Sequence, residues 1–376
     1  MGPQRIFILA AGNERGGAAT HLVTLARAAV AAGAADRFVY LMAGEGPLAD
    51  RLQAVPIPAV RMTGGFMFVL RQIRATLRRA AHPVLLHAHG PRMNVLAALA
   101  ARGTGVPWTS TIHSDVYQDF LRKRWKSAVY PRLVLAALRS ASGVFVVHPR
   151  FASFFPGKWT CPVPHALEVA PLPEPRQFHR QRLRARLGVG EDAVVIGIAA
   201  RFDPVKDIVT AVRALRHLSP AVHLALAGDG PEREAILHTA AACGVTDRVH
   251  LLGFLDDVRP FYAGIDLHVL PSRSEGVPSA LLEAGWFGVP NIGSDIPGVR
   301  YLVEDGVTGR CFPVGDDLAL ASVIDELVRH PEEARRLAER FRAEVLPRFT
   351  PDSMLRAYLD GYERLWRDVI RAGCRR

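Results

Sequence analysis

Two glutamates flank a short turn in the stretch SEGVPSALLEAGWFGVP, residues 274–290. Glu275 precedes the turn GVPS, and Glu283 follows it, within the first turn or so of a predicted helix whose expected N-cap is Ser279. The start of a helix presents free N–H groups and partial positive charge, which favour phosphate. Carboxylates repel phosphate but accept strong hydrogen bonds from diols. The combination indicates a nucleotide-sugar pocket. Taken singly, Glu283 could merely compensate the helix dipole and Glu275 could be a solvated loop residue.

A phosphate pocket also needs cations. The segment IGIAARFDPVKD places Arg201 and Lys206 five residues apart, just past the end of a predicted strand. An arginine can clamp a diphosphate bidentately, and a lysine can add a point charge. The alternative interpretation of the same turn is surface pairing of these cations with Asp203 and Asp207.

Three histidines end predicted strands. His87 and His89 lie in LLHAHGP, and His113 ends WTSTIHS. The H-x-H spacing suits a metal ion, but no acidic or cysteine partner is nearby in sequence, so we predict no metal. A neutral histidine at a strand end could instead bind a substrate hydroxyl.

Glycines follow the first strand in GNERGGAATHL, where Gly16 and Gly17 would let the backbone approach a ligand closely. Neither this loop nor GDGP, which begins at Gly228, has the G-x-G-x-x-G spacing of a dinucleotide site. The sequence therefore gives little support to a nicotinamide cofactor, and a plain tight turn is the expected role of Gly228.

Strands and helices alternate along both halves of the chain. RIFILAAG, RFVYLMAG, PVLLHAHG, WTSTIHS and SGVFVVHP are predicted strands of the first half, and DAVVIGIAARF, HLALAGDGP, RVHLLGF, LHVLPS and PNIGS of the second. This alternation predicts α/β architecture with two doubly wound parallel sheets. The segment CPVPHALEVAPLPEPRQF has five prolines in eighteen residues and reads as a linker. We therefore predict one domain over 1–168, a second over 169–352, and a terminal helix over 353–376 that packs back onto the first. Ligands of such folds bind at the carboxyl edges of the sheets, so a cleft between the two domains is expected.

Charge is distributed unevenly along the 376 residues. Up to His165 there are 20 Lys and Arg against 6 Asp and Glu, whereas the rest has 27 against 30. A general preference for arginine would not explain why acids are scarce in one half only. An anionic surface is therefore the expected partner of the first half. The four cysteines form no C-x-x-C pair, and no apolar run is long enough to span a membrane, so a cytoplasmic location is expected.

One segment of the basic half is amphipathic. FMFVLRQIRATLRR places Leu70, Ile73 and Leu77 on one helical face, next to arginines at positions 71, 74 and 78. RKRWK at 122–126 adds four cations around a tryptophan. Such stretches suit anionic lipid headgroups, although an ordinary exposed helix remains the alternative. No nucleic-acid module is recognisable, so no nucleic-acid partner is expected.

Taken together, Arg201 and Lys206, the segments GDGPEREAIL and VHLLGF, LPSRSEGVPSALLEAGWFGVP and DIPGVRYLVEDGVTGRCFPVGD resemble glycosyltransferase family 4. The resemblance covers nearly the whole chain and is strongest from Ile196 to Asp316. It implies a retaining glycosyltransferase of the GT-B fold, whose two Rossmann-like domains close around a nucleotide-sugar donor. It also implies no metal, no cofactor and no covalent carboxylate nucleophile.

The resemblance assigns roles residue by residue. Arg201 and Lys206 would stabilise the leaving diphosphate, Glu283 would bind the ribose, and Glu275 the donor sugar. His113 would reach the donor sugar from the first domain. The remaining expected contacts are, on the donor side, Gly276, Val277, Pro278, Ser279 and Phe254, and, in the acceptor-side loop, Gly16 and Gly17.

Two positions depart from the family pattern. His165-Ala166 stands where Asn-Gly is common, and His148 stands where a serine is common. Both concern the hinge or the acceptor side. The leading hypothesis is sugar transfer to an acceptor glycan or lipid-linked acceptor in envelope or extracellular polysaccharide synthesis, with peripheral attachment to the inner face of the plasma membrane. The alternatives are a GT-B sugar-nucleotide epimerase and a non-catalytic anion- or membrane-binding protein.

Overall fold

The chain divides into two compact units. The structure is a computed structural model that describes residues 2–14, 17–113 and 129–370, with side chains at all of these except 129–131. Unit 1 comprises Met1–Ala166 and Phe349–Arg376, and unit 2 comprises Leu167–Arg348. The sequence-based boundaries lie a few residues further along the chain at both crossings.

Unit 1 is built on one parallel sheet. Its strands are β1 Arg5–Ala11, β2 Phe38–Ala43, β3 Ala59–Met62, β4 Val84–His89, β5 Trp108–Ile112, β6 Gly143–Val146 and β7 Thr160–Pro162. They pair in the order β3-β2-β1-β4-β5-β6-β7, and every pairing is parallel. The helices are α1 Gly17–Ala31, α2 Pro47–Gln53, α3 Phe66–Arg79, α4 Pro91–Thr104 and α5 Val129–Ser140.

The central strands of unit 1 are buried along their whole length. Every residue of β4 and β5 is buried. Strands of this kind are covered by helices on both faces. The polar residues Thr109, Ser110 and Thr111 of β5 are therefore buried together with the apolar ones. The edge strands β3 and β7 were not predicted. β7 includes Cys161 and Pro162, which were predicted to lie in the linker, and this prediction was wrong. Proline is tolerated in an edge strand, because its missing N–H faces away from the sheet.

Unit 2 repeats the arrangement with a six-stranded sheet. Its strands are β8 Val194–Ala199, β9 Val222–Ala227, β10 Val249–Gly253, β11 Leu267–Leu270, β12 Asn291–Ser294 and β13 Arg310–Phe312. They pair in parallel in the order β10-β9-β8-β11-β12-β13. The helices are α6 Arg176–Leu187, α7 Ile208–Ala214, α8 Arg233–Ala242, α9 Arg259–Gly264, α10 Ser279–Trp286, α11 Pro297–Arg300, α12 Asp317–Arg329 and α13 Pro331–Arg340. Both sheets confirm the predicted doubly wound parallel architecture.

The last helix, α14 Pro351–Leu365, packs on unit 1. It begins with a capping box in which Thr350 and Ser353 exchange side-chain and backbone hydrogen bonds. Its buried face carries Met354, Leu355, Tyr358, Gly361, Tyr362 and Leu365. No helix in the described part of the chain is both long enough and apolar enough to cross a membrane.

Candidate functional site

The predicted cations of unit 2 follow the carboxyl end of β8. Arg201 is about half exposed, and its Nε lies 3.1 Å from a carboxylate oxygen of Asp203. Lys206 ends a 3-10 turn over Pro204–Lys206 that leads into α7. The alternative interpretation of the turn, in which Arg201 pairs with Asp203, is therefore present in the structure. Because Arg201 remains half exposed, its guanidinium still has donors that face solvent.

The loop that carries Arg201 is held by the GDGP turn after β9. Phe202 N donates to Asp229 O over 2.9 Å, and Glu232 N donates to Phe202 O over 2.9 Å. A Cβ on Gly228, which has a φ of +141°, would lie 1.9 Å from the carbonyl oxygen of Ala200. A plain tight turn was the expected role of Gly228. In the structure, its lack of a side chain also lets the loop after β9 contact the loop after β8.

Lys206 and Glu275 meet directly. Lys206 Nζ lies 2.6 Å from Glu275 Oε1, with the lysine side chain 25% and the glutamate side chain 12% exposed. Ser272 Oγ donates to the same oxygen over 2.6 Å. The fold therefore joins one predicted cation to one predicted carboxylate across 69 residues of sequence. Ser272 was missed, although LPSRSE was among the motifs.

A second pair of contacts joins the loop after β8 to the loop after β11. Arg273 N donates to Val205 O over 2.8 Å, and its guanidinium lies 3.2 Å from a carboxylate oxygen of Asp207. Asp207 adopts a φ of 46°, which is uncommon for a residue other than glycine. The alternative pairing of Lys206 with Asp207 is therefore not the one that forms, since each has a partner on the 272–275 loop.

The start of α10 differs from the expectation by one position. Pro278 occupies the N-cap position with no side-chain capping bond, and Ser279 is the first helical residue. The prediction that Ser279 is the N-cap was wrong. Because α10 begins at Ser279, Glu283 is its fifth residue and lies at the start of the second turn. The physical reason is that Pro278 carries the extended backbone, with ψ of 105°, that an N-cap requires.

Glu283 is half-buried among neutral donors. Tyr262 of α9 and Ser279 both hydrogen-bond to its carboxylate. Burial raises the pKa of Glu283 above its ordinary value, and the two hydroxyl donors oppose that rise. Tyr262 is itself buried, which raises the pKa of its phenol well above the usual range. Tyr262 was missed, since nothing in VRPFYAG connects it with Glu283 before the chain folds.

The other predicted donor-side residues lie on the same edge of the sheet. Gly276, Val277 and Pro278 form the loop between Glu275 and α10. A Cβ on Gly298 would lie 2.5 Å from the carbonyl oxygen of Gly276, so Gly298 allows α11 to back against this loop. Phe254 follows β10 and is 80% exposed, which leaves its ring open to solvent.

Unit 1 gathers five histidines where its central strands end. His113 is half-buried, and its Nε2 lies 3.0 Å from His89 Nδ1. Burial and the neighbouring His165 lower the pKa of His113 to about 3. The pKa values of the other four imidazoles are also lowered, chiefly by burial, at positions His21, His87, His89 and His165.

These imidazoles join hydroxyl groups in a continuous hydrogen-bond chain. His87 Nδ1 lies 2.6 Å from the Tyr362 hydroxyl and His87 Nε2 lies 2.8 Å from Thr111 Oγ1. Thr111 is 2.9 Å from the Tyr358 hydroxyl, which is 2.8 Å from His21 Nε2. The histidines thus bind α14 to the sheet. Among the described residues no group of three His, Cys, Asp or Glu side chains could hold a metal ion.

The predicted acceptor-side loop is described only in part. Gly16 lies outside the described residues. Gly17 is the first residue of α1, and a Cβ there would meet no atom within 4 Å. The close backbone approach in this region belongs to Gly12, because a Cβ on Gly12 would lie 2.1 Å from the carbonyl oxygen of Gly44.

The two departures from the family pattern have local contacts. His148 Nδ1 accepts a hydrogen bond from Arg150 N over 3.0 Å and so caps the 3-10 turn Pro149–Phe154. The ring of His165 stacks on that of His21, with 5.6 Å between centroids.

The basic face of α3 is partly engaged within unit 1. Arg74 donates to Leu99 O over 2.9 Å and Arg78 to Gly103 O over 3.0 Å, so both bind carbonyls near the end of α4. Arg74 is half-buried, whereas Arg71, Arg78 and Arg79 are exposed, so the expected contact of this face with lipid stays a prediction. The basic segment 122–126 lies outside the described residues.

Two family models match the chain, one in each unit. "Glycosyltransferase Family 4" matches residues 15–160, and "Glycosyl transferases group 1" matches residues 179–344. Anabaena Alr3699/HepE, solved in complex with UDP, has a TM-score of 0.78 at 21% identity, over 95% of this chain and 98% of that one. Its likeness shows the fold, which is the GT-B fold predicted from the sequence. The chain belongs to the group 1 and family 4 glycosyltransferases.

Two curated relatives are similar in sequence to this chain, one over about half of it and the other over most of it. The lipopolysaccharide core biosynthesis glycosyltransferase LpsE of Rhizobium meliloti is 34% identical over 47% of this chain and 52% of its own length. The chain therefore spans about half the length of this relative. Alpha-D-kanosaminyltransferase of Streptomyces kanamyceticus is 28% identical over 77% of this chain and 82% of its own length.

Proposed function

We propose that the protein is a retaining, metal-independent glycosyltransferase that moves a sugar from a nucleotide-diphosphate donor to an acceptor hydroxyl in envelope or extracellular polysaccharide synthesis. The observation that carries the proposal is the contact of Lys206 with Glu275, because a cation of the kind that suits phosphate lies beside a carboxylate of the kind that suits sugar hydroxyls. Family membership and the UDP bound by HepE also support it.

In the proposed reaction, the bond between the anomeric carbon and the diphosphate breaks while the acceptor oxygen bonds to that carbon. The departing phosphate takes up the acceptor proton on the same face of the sugar. Arg201 and Lys206 would stabilise the charge that develops on the leaving diphosphate. Glu275 would hold the sugar hydroxyls, Glu283 the ribose, and exposed Phe254 would contact the donor. His113, neutral because its pKa is about 3, would donate or accept a hydrogen bond without adding charge.

A panel of UDP-, GDP-, ADP- and dTDP-sugars in thermal-shift assays tests donor binding, because a ligand that binds only the folded state stabilises it by about 2.7 kcal/mol at a concentration of 100 Kd. We expect at least one class to raise the melting temperature. No shift and no hydrolysis with any nucleotide sugar would defeat the proposal in favour of a non-catalytic binding protein. Conversion of the donor to its epimer without transfer would favour the epimerase.

Lys206→Ala should lower donor turnover by about 100-fold or more, as expected for the loss of one group that stabilises developing charge. Glu275→Ala should also lower it, because the hydrogen bonds that hold the sugar hydroxyls in position are lost. Slow hydrolysis of the nucleotide sugar is the measurement. Lys158→Ala is the matched control, because Lys158 is also partly buried but donates to the backbone of Arg139 in unit 1. Equal turnover in Lys206→Ala and Lys158→Ala would contradict the assignment.

We further propose that the acceptor is lipid-linked and that unit 1 attaches to an anionic membrane surface. Three consecutive apolar side chains at the start of α3 are exposed, namely Phe66 at 45%, Met67 at 59% and Phe68 at 57%. Arg71 and Arg79 are exposed on the same helix. An apolar tip with basic neighbours is typical of a segment that enters an anionic headgroup layer.

The membrane proposal predicts that the protein pellets with phosphatidylglycerol vesicles and is released by high salt, which screens exposed charge. Phe66→Ser combined with Phe68→Ser should weaken binding by about 10-fold or more, since each ring buries substantial apolar area in the bilayer. Phe178→Ser is the control, because Phe178 is 42% exposed but lies in unit 2. Equal binding by the double variant and the control, or no binding to vesicles, would refute attachment through α3.

A further inference from the structure

Glu275 receives both of its described hydrogen bonds on one oxygen. Lys206 Nζ and Ser272 Oγ each lie 2.6 Å from Oε1. A carboxylate offers about four acceptor sites on its two oxygens. Neither bond uses Oε2, so that oxygen is the one through which Glu275 can accept a hydrogen bond from a ligand.

The two donors to Oε1 differ in mobility and charge. Lys206 is charged, is 25% exposed and ends a long side chain. Ser272 is neutral and 0% exposed, and it lies two residues after the end of β11. Its carbonyl oxygen accepts a hydrogen bond from Ser294 Oγ at the end of β12. Two strand ends therefore fix the position of Ser272, whereas the ammonium of Lys206 can turn about its side-chain bonds.

A diphosphate would compete with Glu275 for the Lys206 ammonium. The ammonium has three donors and is attracted to phosphate as a point charge. If Glu275 were held by Lys206 alone, its carboxylate could rotate when the lysine moved. A bound phosphate would not displace the Ser272 hydroxyl from Glu275. Ser272 is buried, and its carbonyl oxygen is held by a hydrogen bond from Ser294 Oγ.

We propose that Ser272 is a positioning residue that keeps Glu275 Oε2 directed at the donor sugar while Lys206 engages the diphosphate. The proposal rests on the function proposed above and specifies how its donor site couples the recognition of phosphate to that of the sugar. It predicts that Ser272 contributes to binding of the sugar moiety and not to binding of the nucleoside diphosphate.

The test compares Ser272→Ala with the wild-type protein by calorimetry, using a nucleotide sugar that shifts the wild-type melting temperature and the corresponding nucleoside diphosphate. The Kd for the nucleotide sugar should rise roughly 10-fold, as expected for a lost hydrogen bond to a charged group. The Kd for the nucleoside diphosphate should change less than about 2-fold. Ser272→Cys, which keeps the side-chain volume but has only a weak donor, should give the same pattern if the alanine variant folds poorly.

Thr308→Ala is the control, because Thr308 is also a buried hydroxyl of unit 2, but it accepts a hydrogen bond from Glu304 N and not from the 272–275 loop. It should lower the melting temperature but leave the ratio of the two dissociation constants near that of the wild type. A general loss of stability would change the ratio equally in Thr308→Ala and Ser272→Ala, and that result would overturn the proposal.

A double-mutant cycle with Glu275→Gln separates action through Glu275 from any independent role. In the Glu275→Gln background, Ser272→Ala should raise the Kd for the nucleotide sugar less than about 2-fold. Additive effects, or an unchanged ratio in Ser272→Ala, would refute the inference while the proposed function stands. If the wild-type protein binds nucleoside diphosphate but no nucleotide sugar, both fail.

Discussion

Two glutamates of the same loop-helix segment lie in different electrostatic surroundings. Glu275 faces the ammonium of Lys206, whereas Glu283 receives hydrogen bonds from the neutral hydroxyls of Tyr262 and Ser279. Burial without a cation disfavours the charged form, which is why the pKa of Glu283 is raised. The charge of Glu283, and with it the proposed hydrogen bonding to a ribose, should therefore depend on mild acidification.

Tyr262→Phe removes one of the hydrogen bonds that oppose the rise in the pKa of Glu283. The pKa should rise further, so Glu283 becomes protonated at a higher pH in the variant than in the wild type. Nucleotide affinity measured against pH should then begin to fall at a higher pH, with little change at pH values where Glu283 is charged. Tyr40→Phe is the control, because the buried Tyr40 hydroxyl donates to Leu22 O in unit 1. An unshifted profile in Tyr262→Phe would contradict the role of this hydrogen bond.

At the scale of elements, glycines allow the loops after successive strands of unit 2 to touch. Gly228 N donates to Gly253 O over 2.8 Å, which ties the ends of β9 and β10, and the GDGP turn also binds the loop after β8. Gly298, which also lacks a side chain, lets α11 contact the loop before α10. The position of Arg201 and of the Glu275 loop therefore depends on contacts between backbones, which a side chain at these glycines would prevent.

Gly228→Ala should lower the free energy of unfolding by about 3 kcal/mol or more, because the backbone is in a region that only glycine adopts readily and the new methyl group meets the Ala200 carbonyl. Gly244→Ala is the matched control. Gly244 also has a positive φ, of 66°, but a Cβ there meets no atom within 4 Å, so the loss should be about 1–2 kcal/mol. Urea unfolding measures both. Equal losses would show that the close approach at Gly228 contributes nothing beyond its backbone angle.

At the scale of the whole molecule, the chain returns from unit 2 to complete unit 1 with α14. The returning helix meets a buried cluster of neutral imidazoles through Tyr358 and Tyr362. The surrounding titratable groups include Tyr40 and Cys161, and Cys161 is hydrogen-bonded by Arg364. Because burial holds the histidine pKa values below the ordinary 6.5, the folded unit takes up protons less readily than the unfolded chain.

The stability of unit 1 should therefore decrease with acidification. Above pH 6.5 the histidines are neutral in both states, and their contribution to stability is fully present. As the pH falls from 6.5 toward the value of about 3 for His113, the unfolded state binds more protons, and each such histidine removes up to about 1.4 kcal/mol per pH unit.

Hydrogen exchange of peptides from β4 and β5, measured in the full chain between pH 7 and pH 5 and corrected for the intrinsic rate, should show this loss of protection. His89→Gln should make the dependence on pH less steep, because one titrating group is removed. A free energy of opening that stays constant over this range would contradict the prediction.

Local patterns predicted much of the fold. The amphipathic spacing of FMFVLRQIRATLRR coincides with α3, and the apolar runs coincide with the central strands. The short edge strands β3, β7 and β13 were missed, because three or four residues carry little periodicity and proline argues against a strand. The start of α10 was misplaced by one residue, since Pro278 and Ser279 are both acceptable at a helix start.

By itself, the sequence determined two doubly wound parallel sheets, and it predicted a site built from Glu275, Glu283 and the cations Arg201 and Lys206. These follow from periodicity and from residue types at short spacing. The tertiary structure alone decided that Lys206 pairs with Glu275 rather than Asp207, that Tyr262 hydrogen-bonds to Glu283, and that five histidines gather under α14. Each of these contacts joins residues distant in sequence, and only the packing of strands and helices brings such residues together.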